Sequence, residues 1–254
     1  MLSPAYSILL AMVAAAAAGL VGAFALMKRT ILAGDVMSHI AIPGLGLAVV
    51  WKINPLVGGG LTLLLGIVLI ARIEHRTRLS TEAAIGVMFA SSVAIGALLI
   101  HSNEALIDAL FGGFGQLSAG EFAFGMVASL VVIVAIWVMR NTLIIALFSP
   151  ELAASTGIVV NRADLYFLLI FGLSILSSLR FLGALLAGSL IILPASAARQ
   201  LTDTLGRFLA VSTILSVLAM AAGLWLSARY ALAFGPTVVV VASGLFVLSL
   251  LRRR

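Results

Sequence analysis

Residues 5–27 read AYSILLAMVAAAAAGLVGAFALM, an uncharged run closed by Lys28 and Arg29. A helix rises about 1.5 Å per residue, so the run measures ~35 Å, enough to cross the roughly 30 Å hydrocarbon core of a bilayer. No Lys or Arg precedes Lys28, so the run lacks the basic start of a cleavable secretory signal, and its length suits a retained spanning helix. The alanines at 14–18 continue into Gly19, Leu20, Val21 and Gly22, which makes them a small-residue helix face and not a low-complexity linker.

The rest of the chain repeats this pattern. It has 254 residues, 63% hydrophobic and 9% charged, with a mean hydropathy of +1.27, whereas about a quarter of the residues of a soluble domain are charged. Further apolar stretches fall near 31–51, 55–71, 83–100, 122–139, 163–179, 181–198, 208–228 and 235–251. The expected fold is therefore all-α: a polytopic transmembrane helical bundle of about nine spans, eight being the alternative count, in one domain over residues 1–254. Nine spans of roughly 20 residues leave no room for a soluble catalytic domain. The absence of cysteine removes disulfides, thiolate nucleophiles and thiolate metal sites. A pI near 10.8 would suit nucleic acid, but the basic residues are scattered between apolar runs and read as topology signals, so no nucleic-acid partner is expected.

Placing alternate connections on one side groups Lys28, Arg29, Arg72, Arg76, Arg78, Arg140, Arg162, Arg199, Arg207 and the three terminal arginines, which is 12 of the 15 Lys and Arg residues. Lys52, Arg180 and Arg229 fall opposite. The positive-inside rule then puts the N-terminus outside and the C-terminus in the cytoplasm. No internal repeat is evident, which argues against a secondary carrier built from two related halves.

With so few charges, each one inside an apolar run is informative, because Asp at a span centre costs about 2.5–3.5 kcal/mol on insertion scales. Residues 34–44 read GDVMSHIAIPG. Asp35 and His39 are four apart, so a helix puts them on one face, where they could share a cation. Pro43 has no N–H for the carbonyl of His39, so a bend is expected there, with Gly44 beside it. Asp with His and without Cys suits zinc, manganese or ferrous iron. The plainer alternative is that Asp35 caps the helix and His39 bonds across the bundle.

Residues 148–157, FSPELAASTG, lie in a longer basic connection spanning 140–162. Ser149 can cap a helix that starts at Pro150, carries Glu151 in its positive first turn and ends at Gly157. This short cytoplasmic helix is either an interfacial connector or a docking element for a soluble partner. Residues 105–115, ALIDALFGGFG, read as an outer interfacial or re-entrant piece flanked by His101, Glu104 and Glu121. Residues 183–189, GALLAGS, offer small residues for close helix packing, and Pro194 is expected to kink that span. The chain has neither a GxxxxGK[ST] phosphate loop nor an HExxH pair, so energy for active transport must come from another chain or a gradient.

At Asp35, Ser38, His39, Pro43 and Gly44 the sequence resembles the permeases of metal-importing ABC transporters, and the resemblance covers nearly the whole chain. It includes Ala84-Ile85-Gly86, Leu110-Phe111-Gly112, Ser149-Pro150-Glu151-Leu152-Ala153 with Gly157, Gly183-Ala184-Leu185-Leu186, Ile191-Ile192-Leu193-Pro194-Ala195 and Gly235-Pro236. The pattern is nearest that of zinc-type permeases. The resemblance implies a non-catalytic channel subunit of a bacterial plasma (inner) membrane that pairs with a second copy as a homodimer and docks two cytoplasmic ATPase subunits. It also implies receipt of a divalent metal from an extracytoplasmic binding protein. No cofactor is held permanently; zinc, or else manganese or iron, is the cargo. By position Asp35 and His39 match the metal pathway, while Ser149, Pro150, Glu151, Ala153 and Gly157, in the segment near 148–160, match the ATPase-docking region. Pro43, Gly44 and Pro194 are the expected kink or gating positions. The chain departs from the zinc pattern at Ala231 and Ala233, where an acidic residue and a proline are common, and at Gly113. Two rivals remain at this stage, a gradient-driven carrier using Asp35 and a membrane-embedded metal-dependent hydrolase.

Overall fold

The first apolar run forms α1 (Pro4–Met27), with Pro4 in the first turn where its missing N–H costs nothing. The computed structural model describes residues 3–30, 32–77, 81–99, 111–112 and 118–251. After α1 come α2 (Leu32–Ile40), α3 (Ile42–Trp51), α4 (Pro55–Thr77), α5 (Thr81–Leu99), α6 (Ala119–Phe148), α7 (Pro150–Ser155), α8 (Val160–Leu201), α9 (Leu205–Tyr230) and α10 (Phe234–Leu250). Among the described residues there is no strand. Five helices are long and apolar enough to cross a membrane: α1, Pro55–Ile73 of α4, α6, Val160–Leu179 of α8, and α9. Shorter apolar helices at Val36–Ala48, Ala83–Leu99, Leu186–Leu201 and Phe234–Leu250 occupy the other four expected stretches.

α1 is the interior helix. Of its most apolar window 67% is buried, against 28% for the windows in α6 and α9. It packs on α6, α8 and α9, and the small-residue face explains how. A Cβ on Gly22 would stand 2.1 Å from the carbonyl oxygen of Ile191 in α8, and one on Gly19 would stand 2.8 Å from that of Ser212 in α9. The Ser212 hydroxyl donates to the Gly19 carbonyl at 2.6 Å. In lipid, where no hydrophobic force draws apolar helices together, such close backbone approach and interhelical hydrogen bonding supply the association energy.

α8 contains a reversal expected between two spans, but in a form that the sequence did not announce. Residues 163–179 and 181–198 read as two spans joined near Arg180, and the structure joins them without a loop. Helical geometry is broken only at Gly183 (φ 69, ψ 176), a conformation that is essentially glycine-only. The two halves run in opposite directions. Asp164, near the start of α8, is ion-paired with Lys28 at the end of α1, and Arg199, near the end of α8, lines one cavity with Arg29. Gly112 enters the corner so closely that a Cβ on it would lie 2.5 Å from the Gly183 nitrogen and 2.6 Å from the Phe181 oxygen. Gly183 is thus a turn residue and not part of a packing stripe, and Pro194, expected as the kink, is buried within continuous helix.

Two further expectations shift. α6 does not stop at Arg140 but runs to Phe148, and its 30 residues measure about 45 Å, longer than the ~30 Å thickness of a hydrocarbon core. Trp137, with Arg140 5.3 Å from its ring centroid, is the kind of pair that sits at a membrane–water interface. Glu121, read as an outer acidic group, is engaged in a capping box at the start of α6. It accepts from the Ser118 N–H at 2.9 Å, while the Ser118 hydroxyl accepts from the Glu121 N–H. His101, Glu104, Asp108 and most of the expected re-entrant piece lie outside the described residues; Phe111 and Gly112 are the exception.

Gly22→Ala should destabilise the bundle by about 1–3 kcal/mol through overpacking against a backbone that cannot yield. Gly244→Ala, which meets nothing within 4 Å, should be neutral or slightly stabilising. Thermal unfolding of the two variants in detergent, side by side, checks this. A double-mutant cycle of Lys28→Met and Asp164→Asn should give a coupling of up to about 1 kcal/mol, because Asp164 is half-exposed; additive melting shifts would deny the ion pair a stabilising role.

Candidate functional site

The Asp35 and His39 positions fall on α2, one helical turn apart. The side chain of Asp35 lies outside the described set. His39, only 8% exposed, occupies the last turn of α2, and its ring meets Phe89 of α5 edge-on, with centroids 5.0 Å apart. Beside it Met37 and Ser38 are fully buried. The helix breaks immediately after. Ala41 donates to the Ser38 carbonyl in a tight i to i−3 bond of 3.3 Å, and regular bonding resumes with Leu45 to Ala41 at 3.0 Å. The stretch at 31–51 is therefore two short helices, as the proline suggested, since Pro43 has no N–H to offer residue 39. An imidazole held at a helix interruption in an apolar bundle has an edge ring contact to fix its orientation and a backbone that already departs from regular bonding.

Gly44 lies one residue beyond Pro43, in α3, and meets α4. A Cβ there would be 2.0 Å from the Gly58 oxygen, and one on Gly58 would be 2.2 Å from the Gly44 oxygen. The two backbones touch, so any displacement of α3 carries α4 with it. Close packing is what this glycine does in the structure.

α2 packs on α5, α4 and α8. The α8 sequence FGLSILSSL at 171–179 supplies three buried serines, Ser174, Ser177 and Ser178. Ser177 and Ser178 donate back to the Ser174 carbonyl at 2.9 and 3.0 Å. The Ser174 hydroxyl, like that of Ser129 in α6, is buried without a hydrogen-bond partner among the described residues. Such hydroxyls can bond internal water. The i, i+3, i+4 spacing of serines was available in the sequence as a polar stripe, whereas Phe89 carried no signal. No group of three His, Cys, Asp or Glu that could hold a metal occurs among the described residues.

The segment at 148–157 is a separate element that packs on α6 and α8, and its local helix geometry is as read. Ser149 accepts from the Leu152 N–H at 3.3 Å, Pro150 opens α7 and Glu151 lies exposed in its first turn. Ala153 is fully buried. At the C-terminal end the Gly157 N–H donates to Ala154 at 3.2 Å and the Ile158 N–H to Ala153 at 2.8 Å, with Gly157 left-handed at φ 80. A Cβ on Gly157 would meet nothing within 4 Å, so glycine is required there by conformation and not by space. Ser149 also closes α6, donating its N–H to Ile145 at 3.0 Å.

The ABC 3 transport family model matches residues 4–253. The high-affinity zinc uptake system membrane protein ZnuB of Haemophilus influenzae is 31% identical over 237 residues, 91% of this chain and 90% of that protein. The manganese transport system membrane protein MntB of Synechocystis is 30% identical, covering 89% of this chain and 74% of its own length. MntC of Halalkalibacterium halodurans, also a manganese transport system membrane protein, is 28% identical, covering 91% and 80%. Among solved structures, PsaBC from Streptococcus pneumoniae in complex with Fab superposes with a TM-score of 0.84 at 25% identity, covering 96% of this chain and 89% of that one. The chain belongs to the ABC 3 transport family, as a membrane-embedded permease subunit that is itself non-catalytic, ATP hydrolysis residing in a separate subunit.

Proposed function

We propose that this chain forms the translocation channel of an ATP-driven importer of a divalent transition metal, zinc ahead of manganese and iron, in a bacterial inner membrane. The docking end of the bundle faces the cytoplasm and the N-terminus faces out. Two copies of the chain pair as a homodimer, two ATPase subunits dock at α7, and an extracytoplasmic protein delivers the metal. Zinc leads because the Haemophilus zinc relative shares 31% identity over 90% of its length, with the manganese relatives at 30% and 28%.

The observation that carries the reading is the buried His39 at the interruption between α2 and α3, one turn after Asp35. An ionisable pair at membrane depth is expensive and marks an ion route. Imidazole and carboxylate together suit borderline divalent cations, and the mixed donor set without thiolate disfavours cuprous copper. A cargo ion must also leave, so a route with few strong ligands suits transport better than a saturated cage. ATP binding and hydrolysis in the partner move α7, that movement passes to α6 and α8, and the spans around Asp35 and His39 alternate their access.

Reconstitution in liposomes with the cognate ATPase and binding protein tests this directly. ATP-dependent accumulation of zinc should exceed that of manganese and iron, each measured alone; failure of all three to cross overturns the reading. Asp35→Ala and His39→Ala should each lower uptake at least about tenfold, equivalent to ~1.4 kcal/mol, while the ATPase still co-purifies. Unchanged uptake in both removes the pair from the pathway. Gly157→Ala, which forces a Cβ into the left-handed region at about 1–2 kcal/mol, and Glu151→Arg should weaken ATPase association or uncouple hydrolysis from transport. Gly157→Asn, tolerant of that conformation, should recover most of the loss. Normal metal-stimulated hydrolysis in Glu151→Arg and Gly157→Ala would argue that α7 is only a connector.

A further inference from the structure

The end of the bundle that carries α7 also holds a cavity of about 460 Å³ whose described lining does not include His39. Its volume is within the roughly 300–1,000 Å³ of ordinary small-ligand sites. Four segments meet there, and each contributes a different group. Arg29 follows α1 and Arg199 is in the last turn of α8, so two arginines line one space. Thr204, which precedes α9, adds a hydroxyl. Leu26, Phe148 and Phe208, from α1, α6 and α9, supply an apolar wall. None of the described lining residues is acidic, and the neighbouring Asp203 is exposed in the α8–α9 turn without lining the cavity.

This combination selects its ligand by exclusion. Two guanidiniums repel a divalent cation, so the cavity is no branch of the metal pathway. A small free anion would use the arginines and leave the aromatic and aliphatic wall idle. An amphiphile with a phosphate head uses both. The location agrees, because Arg29 and Arg199 stand where apolar helices end, and basic pockets between spanning helices on the cytoplasmic side are suited to anionic lipid heads.

We propose that this cavity binds an anionic phospholipid of the cytoplasmic leaflet, with its phosphate at Arg29 and Arg199 and its acyl chains against Phe148 and Phe208. The inference rests on the cytoplasmic placement of this end, and not on which metal is carried. Phe148 is the last residue of α6, directly before the Ser149 cap of α7. A bound lipid therefore bridges α1, α8 and α9 to the base of the docking element, and the membrane's anionic lipid content becomes a regulator of how firmly that base is held.

The test is native mass spectrometry of the full permease–ATPase complex released from nanodiscs of phosphatidylcholine with phosphatidylglycerol. Wild type should retain phosphatidylglycerol in preference to phosphatidylcholine. Each basic group near an anionic surface contributes about fivefold in affinity, so Arg29→Gln with Arg199→Gln should reduce retention by roughly 25-fold. Arg229→Gln, at the end of α9, should change nothing. Millimolar inorganic phosphate should fail to displace the lipid. The charge-preserving pair Arg29→Lys with Arg199→Lys should keep most of the binding, which separates loss of charge from loss of fold. No preference for phosphatidylglycerol in wild type, equal retention in the Gln pair, displacement by inorganic phosphate, or a cross-link showing an ATPase side chain in the cavity would each overturn the proposal. None of these readouts requires transport, so a failure of metal uptake leaves the result standing.

Discussion

The architecture depends on how closely the backbone of α1 can approach its neighbours. Within a bilayer the solvent is as apolar as the side chains, so burying leucine contributes little and the energy of assembly comes from van der Waals contact and interhelical hydrogen bonds. Gly19 and Gly22 bring α1 against α9 and α8, and the Ser212 bond to the Gly19 carbonyl fastens one of these contacts. Gly44 and Gly58 repeat the arrangement between α3 and α4. The protein is thus assembled through positions with almost no side chain, and its larger apolar residues are free to fill the remaining space or face lipid.

That constraint also places the polar groups. Because α1 is interior, Lys28 at its end is carried onto the start of α8, where it meets Asp164 and lies 5.1 Å from the Phe167 ring centroid. The fold-back at Gly183 then returns the end of α8 to the same region, beside Arg29. One end of the bundle consequently collects the α7 element, the Lys28–Asp164 pair and the basic cavity. The break after His39 belongs to a different part of the molecule, with α2 packed between α8, α4 and α5. The separation has a physical use: an event at α7 reaches α2 only through the helices, chiefly α8, which touches both.

What could be read from the sequence was what is decided locally. Helix-forming apolar runs, the Ser149 cap, Pro150 at the first position, the left-handed Gly157 and the interruption near Pro43 each follow from a few adjacent residues, and all are present. A turn near Arg180 could be read, but not its place at Gly183, because GALLAGS is equally a packing stripe; at Gly183 the backbone of Gly112 comes against the corner. Lys28 and Asp164 are 136 positions apart, so only tertiary structure pairs them. The extension of α6 was hidden by a sound inference. Arg140 interrupts the apolar run, but it lies exposed on the helix surface beside Trp137 and the helix continues past it.

This extension bears most on mechanism. A loop between a spanning helix and a docking element would absorb motion in soft backbone dihedrals. Here α6 passes directly into α7, and Ser149 serves both helices, its N–H closing α6 on Ile145 and its hydroxyl opening α7 on Leu152. A single residue with hydrogen bonds in both directions leaves little slack. The far end of α7 is similarly fixed, by Gly157 and Ile158 donating to Ala154 and Ala153, and α8 begins at Val160. A displacement of α7 must therefore rotate or translate α6 and α8 as rigid bodies. Both pack on α1. α8 also packs on α2, so a displacement of α8 reaches directly the helix that is already interrupted at Ala41 beside His39.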